Sequence, residues 1–251
     1  MDLNADAGES FGRWSLGDDE QLFPFLSSVN LALGFHAGDP LTLRQAVQRA
    51  VRQRLNIGAH PGYPDLSGFG RRELAMSAAE IGAATLYQLG ALSGFLQEAG
   101  ATMSHVKAHG ALYFRVHQDL EAGRAFAAAV RSYAPQAALV VLAGPAGDAL
   151  EAVAQEAGLT VWREAFPERA YLADGLLAPR TLPGSSIHDP DEAAGRALEM
   201  VGGTVQALTG QSIALRADTL CIHGDNPQAV SIARAIRARL EAAGVTVDAP
   251  R

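Results

Sequence analysis

Short apolar runs alternate along the chain with longer segments in which apolar side chains recur every three to four residues. The short runs fall at Leu3–Asp6, Val29–Gly34, Asn56–His60, His105–His109, Leu139–Ala143, Thr160–Glu164 and Thr219–His223, each of strand length. Helical periodicity runs through Leu41–Leu55, Ala78–Ala99, Leu120–Tyr133, Pro190–Leu208 and Pro227–Ala243, the spacing that lines one face of a helix with apolar groups. Pro40, Pro190 and Pro227 stand at or just before helix starts, where a missing N–H costs nothing. Gly100, Gly158 and Gly244 follow helix ends as C-terminal caps. The alternation predicts βα units around a parallel sheet.

The polar residues then share an address. Asn4, Asp6, His36, His60, Lys107, His109, Glu164, His223 and Asp225 all lie at the C-terminal end of a predicted strand or just beyond it. Closed parallel barrels build their active sites on that face, whereas open sheets use a single crevice. Polar groups after most of the strands favour the closed ring, so a seven-stranded parallel (β/α) barrel with one active site is expected. No linker-like stretch divides the chain, which predicts a single domain over 1–251. The irregular stretches Pro61–Ser77 and Phe166–Ser186 are loops of a length that more often carries function than not.

Composition narrows the partners. Hydrophobic residues make up 48% of the 251 and charged residues 19%, a globular balance. The net charge of -7 and the lack of a basic run argue against nucleic acid. With no leader-like N-terminus and no apolar stretch of membrane length, a cytoplasmic protein with no membrane partner is expected. The lone Cys221 fits a reducing compartment. Of the 20 basic residues only Lys107 is lysine, and a lysine, unlike arginine, can lose its proton when desolvated.

The motifs carry the chemistry. Asn4 and Asp6, two apart, share a strand face; Asp6 either points into the barrel mouth or caps the next turn. GFHAGDP and GAHPGYPDLSGFGRR supply His36, His60 and Arg72. Asp6, His36 and His60 at strand ends make a ligand set for a divalent metal with open positions. In HVKAHGALY, His105, Lys107 and His109 fall on one face, close enough to shift one another's protonation. EAFPERAYLADGLLAPR brings Glu164, Arg169 and Arg180; arginine grips carboxylate or phosphate in a two-pronged contact, so this loop is a candidate substrate contact or a salt-bridged surface. In CIHGDNP, His223 and Asp225 lie near the mouth and Cys221 reads as a buried small residue. His117 and His188 read as surface or capping residues. No phosphate-binding loop, nucleophile elbow or dinucleotide fingerprint is present.

Taken in order, DLNADAGES, NLALGFHAGDP, IGAHPGYPDLSGFGRR, LYQLGAL, HVKAHGALY, ERAYLADGLLAPR, PGSSIHDP and ADTLCIHGDNP closely resemble the LamB/YcsF family over nearly the whole chain. The resemblance implies a TIM-like barrel of the glycoside hydrolase/deacetylase type, acting as the A subunit of a bacterial ATP-dependent 5-oxoprolinase. The implied reaction opens the lactam of 5-oxoproline (pyroglutamate) to L-glutamate while ATP becomes ADP and phosphate, with subunits B and C as partners. On that footing Asp6, Lys107, His109, His223 and Asp225 are the expected catalytic set. Asn4, His36, His60, Arg72, Glu164, Arg169 and Arg180 are the expected substrate contacts, and ATP chemistry is expected to need the partners. Two departures stand out: Leu33 where the family often has Cys, and Ala108 where it usually has Pro. Two other readings remain, a self-sufficient metal-dependent deacetylase or amidohydrolase and a non-catalytic subunit that delivers substrate.

Overall fold

The computed structural model describes residues 1–250. Its strands are β1 (Asp2–Ala7), β2 (Ser28–Ala32), β3 (Asn56–His60), β4 (Met103–Val106), β5 (Ala138–Leu142), β6 (Val161–Ala165), a short hairpin β7 (Thr204–Gln206) and β8 (Ser212–Ala214), and β9 (Thr219–His223). Strands β1 to β6 and β9 close into a seven-stranded parallel barrel, with β9 bonded to both β6 and β1. Helices α1 (Asp19–Leu22), α2 (Pro40–Gln53), α3 (Ala78–Ala99), α4 (Gly110–Gln118), α5 (Leu120–Tyr133), α6 (Asp148–Glu156), α7 (Pro190–Val201) and α8 (Ala229–Ala242) connect and flank them. The predicted ring of βα units is therefore the architecture found. Among the described residues no helix is long and apolar enough to cross a membrane.

Local chemistry accounts for most boundaries. Asp39 accepts from the N–H groups of Leu41 and Thr42 at the start of α2, which satisfies donors the helix cannot pair. Ser77 and Glu80 form a reciprocal capping box on α3. The helix expected to run to Leu208 stops at Val201 because Gly202 and Gly203 follow, the latter at φ 93, and the chain turns into β7 with Val205 buried. Helices α1, α4 and α6, of 4, 9 and 9 residues, are too short for a periodicity window to announce. The fourth strand lies earlier than expected, ending at Val106. Even so, Lys107 N–H reaches Ala59 O and His109 N–H reaches Pro61 O, which keeps His105, Lys107 and His109 on the inward face.

Strand register arranges the interior. Leu3, Ala5 and Ala7 join the apolar core under the helices, while Asp2, Asn4 and Asp6, also buried, point the other way. Along the ring Asp6 is aligned with Asn30, Asn30 with Gly58, and Gly58 with His105. One row of four neighbouring strands thus carries polar groups across the barrel.

His117 was expected at the surface, and the structure corrects that. It is 6% exposed, donates from Nδ1 to Tyr113 O at 2.7 Å and accepts the Leu142 N–H at Nε2, 2.9 Å away. Burial pulls its pKa down to about 4 against the opposing hydrogen bond to Tyr113 O; a proton on Nε2 would also displace the Leu142 N–H that this nitrogen accepts. The unfolded chain therefore binds this proton first as pH falls. The stability contributed by neutral His117 is present above about pH 6.5 and is lost progressively down to about pH 4. Melting curves between these limits are expected to fall with a steeper pH slope in the native chain than in His117→Gln, and equal slopes would refute the assignment.

Candidate active site and metal centre

A cavity of about 490 Å³ opens where the strands end. Asp6, His60, Lys107, His109, Phe166 and His223 line it, Arg71 and Arg180 stand at its exposed rim, and Arg169 is buried beside them with its guanidinium donating to Ser185 O and Ala178 O. Asp6 comes from β1, His60 from β3, Lys107 and His109 from the segment after β4, and His223 from β9.

Lys107 is the electrostatic centre. Its ammonium donates to Asp6 Oδ1 at 2.8 Å, pairs with Glu164 Oε1 at 2.9 Å, lies 3.0 Å from Cys221 Sγ, and sits over the Phe166 ring. Burial alone would lower its pKa, but Asp6, Cys221 and Glu164 outweigh that and hold it well above the usual lysine value. This lysine keeps its proton, contrary to the loss that desolvation by itself predicts. Burial would raise the Asp6 carboxyl, yet His60 and Lys107 hold it well below its ordinary range. Glu164 and Cys221 both titrate higher than usual, chiefly through burial, so Cys221 is a buried thiol rather than a thiolate.

Beside this pair lies a cluster of Glu9, His36, His60 and His109, whose ligand atoms are all within 4.8 Å of one another. The rings of His36 and His109 stack at 3.7 Å. His60 Nδ1 lies 2.8 Å from Lys107 O, and His109 Nε2 lies 2.8 Å from Phe69 O. A carbonyl oxygen can only accept, so both of those nitrogens carry hydrogen. His60 Nε2 lies 3.0 Å from His109 Nδ1 and 3.3 Å from Asp6 Oδ2. Both His36 nitrogens and Glu9 Oε1 are buried without a hydrogen-bond partner. Burial, reinforced by the neighbouring histidines, holds His36 and His109 well below the usual imidazole pKa, and so keeps them neutral. Neutral imidazoles held by backbone carbonyls on their far nitrogens are the usual setting of metal-binding histidines. The donor set fits a divalent cation. Gly62 and Gly70 make room for the imidazoles: a Cβ at Gly62 would stand 2.5 Å from His36 Nδ1, and one at Gly70, which has φ +63, 2.7 Å from His36 Cβ and 2.9 Å from His109 Cδ2.

On the opposite wall His223 stacks against Phe166. Glu168 accepts the His223 backbone N–H at 2.7 Å and lies 3.4 Å from its Nδ1. Burial lowers the His223 pKa and Glu168 opposes that shift. At the rim, burial together with Arg180 and Arg71 pulls Arg169 down to about 10, and Arg180 is lowered by burial and Arg71. Crowded cations of this kind favour an anionic guest.

The structure thus brings Asp6, His60, Lys107, His109, His223, Arg169 and Arg180 to one cavity. Asn4, His36 and Glu164 lie behind its wall; Asn4 Nδ2 donates to Glu164 Oε1 and to Thr219 Oγ1. Asp6 approaches His60 Nε2 at 3.3 Å, but the clustered ligand atoms belong to Glu9 and His109 alongside His36 and His60. Arg72 is not brought to the cavity: its side chain is 62% exposed and bound to Asp65, and Arg71 takes the place expected of it. Asp225 pairs with Arg71 at 2.6 Å and forms no part of the inner wall. Sequence reasoning did not single out Glu9, Asn30 or Glu168, and it noted Arg71 in the GAHPGYPDLSGFGRR motif but expected the substrate contact from Arg72.

The model of the LamB/YcsF family matches residues 1–251. A protein of Deinococcus radiodurans, named as the A subunit of 5-oxoprolinase, is 67% identical, covering 98% of this chain and 95% of that one. Its namesake in Thermus thermophilus is 56% identical over 99% of each. The crystal structure of a lactam utilization protein, also from Thermus thermophilus, superposes with a TM-score of 0.93 at 54% identity, covering 100% of this chain and 99% of that one. The chain belongs to the LamB/YcsF family.

Proposed function

We propose that this chain is the A subunit of an ATP-hydrolysing 5-oxoprolinase and carries the site where the lactam of 5-oxoproline is opened to L-glutamate. Subunits B and C would complete the ATP chemistry, since the chain has no phosphate-binding loop of its own. The observation that carries the chemistry is one cavity holding a charged Lys107–Asp6 pair between a cluster of buried histidines and the Glu168–His223 pair. The substrate class comes from the name borne by the relatives.

In this reading Arg169 and Arg180 hold the substrate carboxylate, with Asn4 and Glu164 fixing Lys107 from behind. Water adds to the ring carbonyl carbon while Asp6 takes a proton from it. Lys107 faces the oxygen on which negative charge develops, a role suited to an ammonium that keeps its proton. The C–N bond then breaks, and the proton that Asp6 took from water passes by way of His223 Nε2 to the leaving nitrogen. Glu9, His36, His60 and His109 would hold a divalent cation, which when bound supplies polarisation of a carbonyl or a more acidic water.

Release of glutamate and of phosphate from 5-oxoproline plus ATP tests the proposal, with this chain alone, its partners alone, and all together. Turnover only in the mixture is expected. Lactam opening by the partners alone would overturn the reading, and ATP-free hydrolysis of an amide or acetyl group by this chain alone would replace it with a self-sufficient amidohydrolase. Glu168→Gln is expected to lower turnover by about tenfold near neutral pH. Removing that charge lowers the His223 pKa further, so the acid limb of the kcat profile, where His223 becomes protonated and can no longer take up the proton it passes on, moves by roughly one unit to lower pH. An unmoved profile would show that His223 does not carry the proton.

A further inference from the structure

We propose that His105 and Asn30 form a hydrogen-bonded strut through the barrel that sets the rotation of the Asp6 carboxylate, which makes both of them positioning residues. The functional half rests on the proposed role of Asp6 as the group that takes a proton from water. The strut itself follows from the register row of Asp6, Asn30, Gly58 and His105. Asn30 Nδ2 donates to Asp6 Oδ1 at 2.9 Å and to Asn4 Oδ1 at 2.7 Å. Asp6 is a carboxylate, so the Asn30 amide can face it only with nitrogen. Its oxygen must then face His105 Nε2, 2.7 Å away, and that nitrogen must carry the ring hydrogen. His105 Nδ1 is left as an acceptor 2.8 Å from Ser104 Oγ. Every direction in the chain is fixed by the anion at its end.

The surroundings are built to hold the imidazole in place. Register shifts between β3 and β4 at Ile57 and Gly58, so that His105, and not Ser104, sits opposite Gly58. A Cβ on Gly58 would collide with the His105 ring, and Trp162 covers the ring at 4.9 Å between centroids. Asn30 and His105 are each 1% exposed. An apolar barrel interior would cost less to bury than this network, so what the network supplies is geometry. Without the strut, Asp6 Oδ1 keeps Lys107 but loses the fixed donor that orients it, and small displacements of a reacting group carry large losses in rate.

Three measurements decide the matter. On the isolated chain, ring nitrogen NMR is expected to show His105 as the Nε2–H tautomer at neutral pH; the Nδ1–H tautomer would overturn the strut. The Asp6 carboxyl carbon signal is expected to move in His105→Leu and in Gly58→Ala, and to return in His105→Gln, whose amide N–H can replace Nε2–H. A signal unmoved in His105→Leu would also overturn it. In the assembled enzyme, His105→Leu is expected to lower kcat by about 10- to 100-fold with KM within about twofold, and His105→Gln to stay within about threefold of the native rate. Equal kcat in all three, with a working native enzyme, would overturn the positioning role. A native assembly that opens no lactam would instead overturn the proposed reaction, and the two NMR signals would still judge the strut.

Discussion

Replacing Lys107 by Met in the assembled enzyme is expected to lower kcat for ring opening by about a thousandfold, the scale on which removal of one preorganised oxyanion partner is felt. The ammonium lies within 2.9 Å of two buried carboxylates, and methionine fills its volume without its charge. Asp6 and Glu164 would then share a buried space with no cation between them, and one of them must take up a proton. Deleting one partner of a buried ion pair costs about 3–5 kcal/mol, so the variant is also expected to melt well below the native chain. Lys107→Arg separates the two effects. It keeps a cation, so much of the stability should return, but its planar fork cannot put a single compact donor 2.8 Å from Asp6 and 2.9 Å from Glu164, so turnover should not. Native turnover in Lys107→Met would sink the assignment.

The second large effect concerns the histidine cluster. The native chain, stripped with a chelator and titrated with zinc or manganese, is expected to bind one ion per chain. Glu9→Gln and His36→Ala are expected to weaken that binding by about a hundredfold or more, since the first removes the negative charge of a ligating carboxylate and the second removes a ligand atom from the shell itself. Saturating ion raises the stability of a site-bearing chain by about 2.7 kcal/mol at a hundred times its Kd. Addition of the ion should therefore raise the melting temperature of the native chain and leave that of His36→Ala nearly unchanged. Titration heats and melting curves read this without any assay of turnover. A native chain that binds neither ion would refute the cluster as a metal centre.

The barrel was legible because its signals are local. Strand length, helix period and the caps at Asp39 and Ser77 each reside in a handful of consecutive residues, and the strand-end address brought Asp6, His60, Lys107 and His223 together before any coordinates. What was missed depends on geometry between segments. Glu9 stands in the turn after β1, where an acid reads as a turn former, and it reaches the histidines because Gly8 adopts φ 67. Asn30 looks like one polar residue within an apolar run, and its partnership with His105 rests on the register of three strands. Arg71 and Arg72 are adjacent and chemically identical. Left-handed backbone at Phe69 and Gly70, φ 56 and 63, precedes them where Arg71 faces the cavity and Arg72 faces Asp65. Strand β7 was hidden inside the end of a helical pattern that two glycines interrupt, and its partner β8 is only three residues long.

A chain with a single lysine also has an unusual reagent profile. Acylating probes meet one side-chain amine, sealed at 3% exposure and charged at neutral pH. Immobilisation or dye attachment through amines should therefore leave the cavity untouched. For the same reason, a sample labelled only in lysine carries one side-chain nitrogen signal, which reports directly on the ammonium between Asp6 and Glu164 as substrate or partner proteins are added.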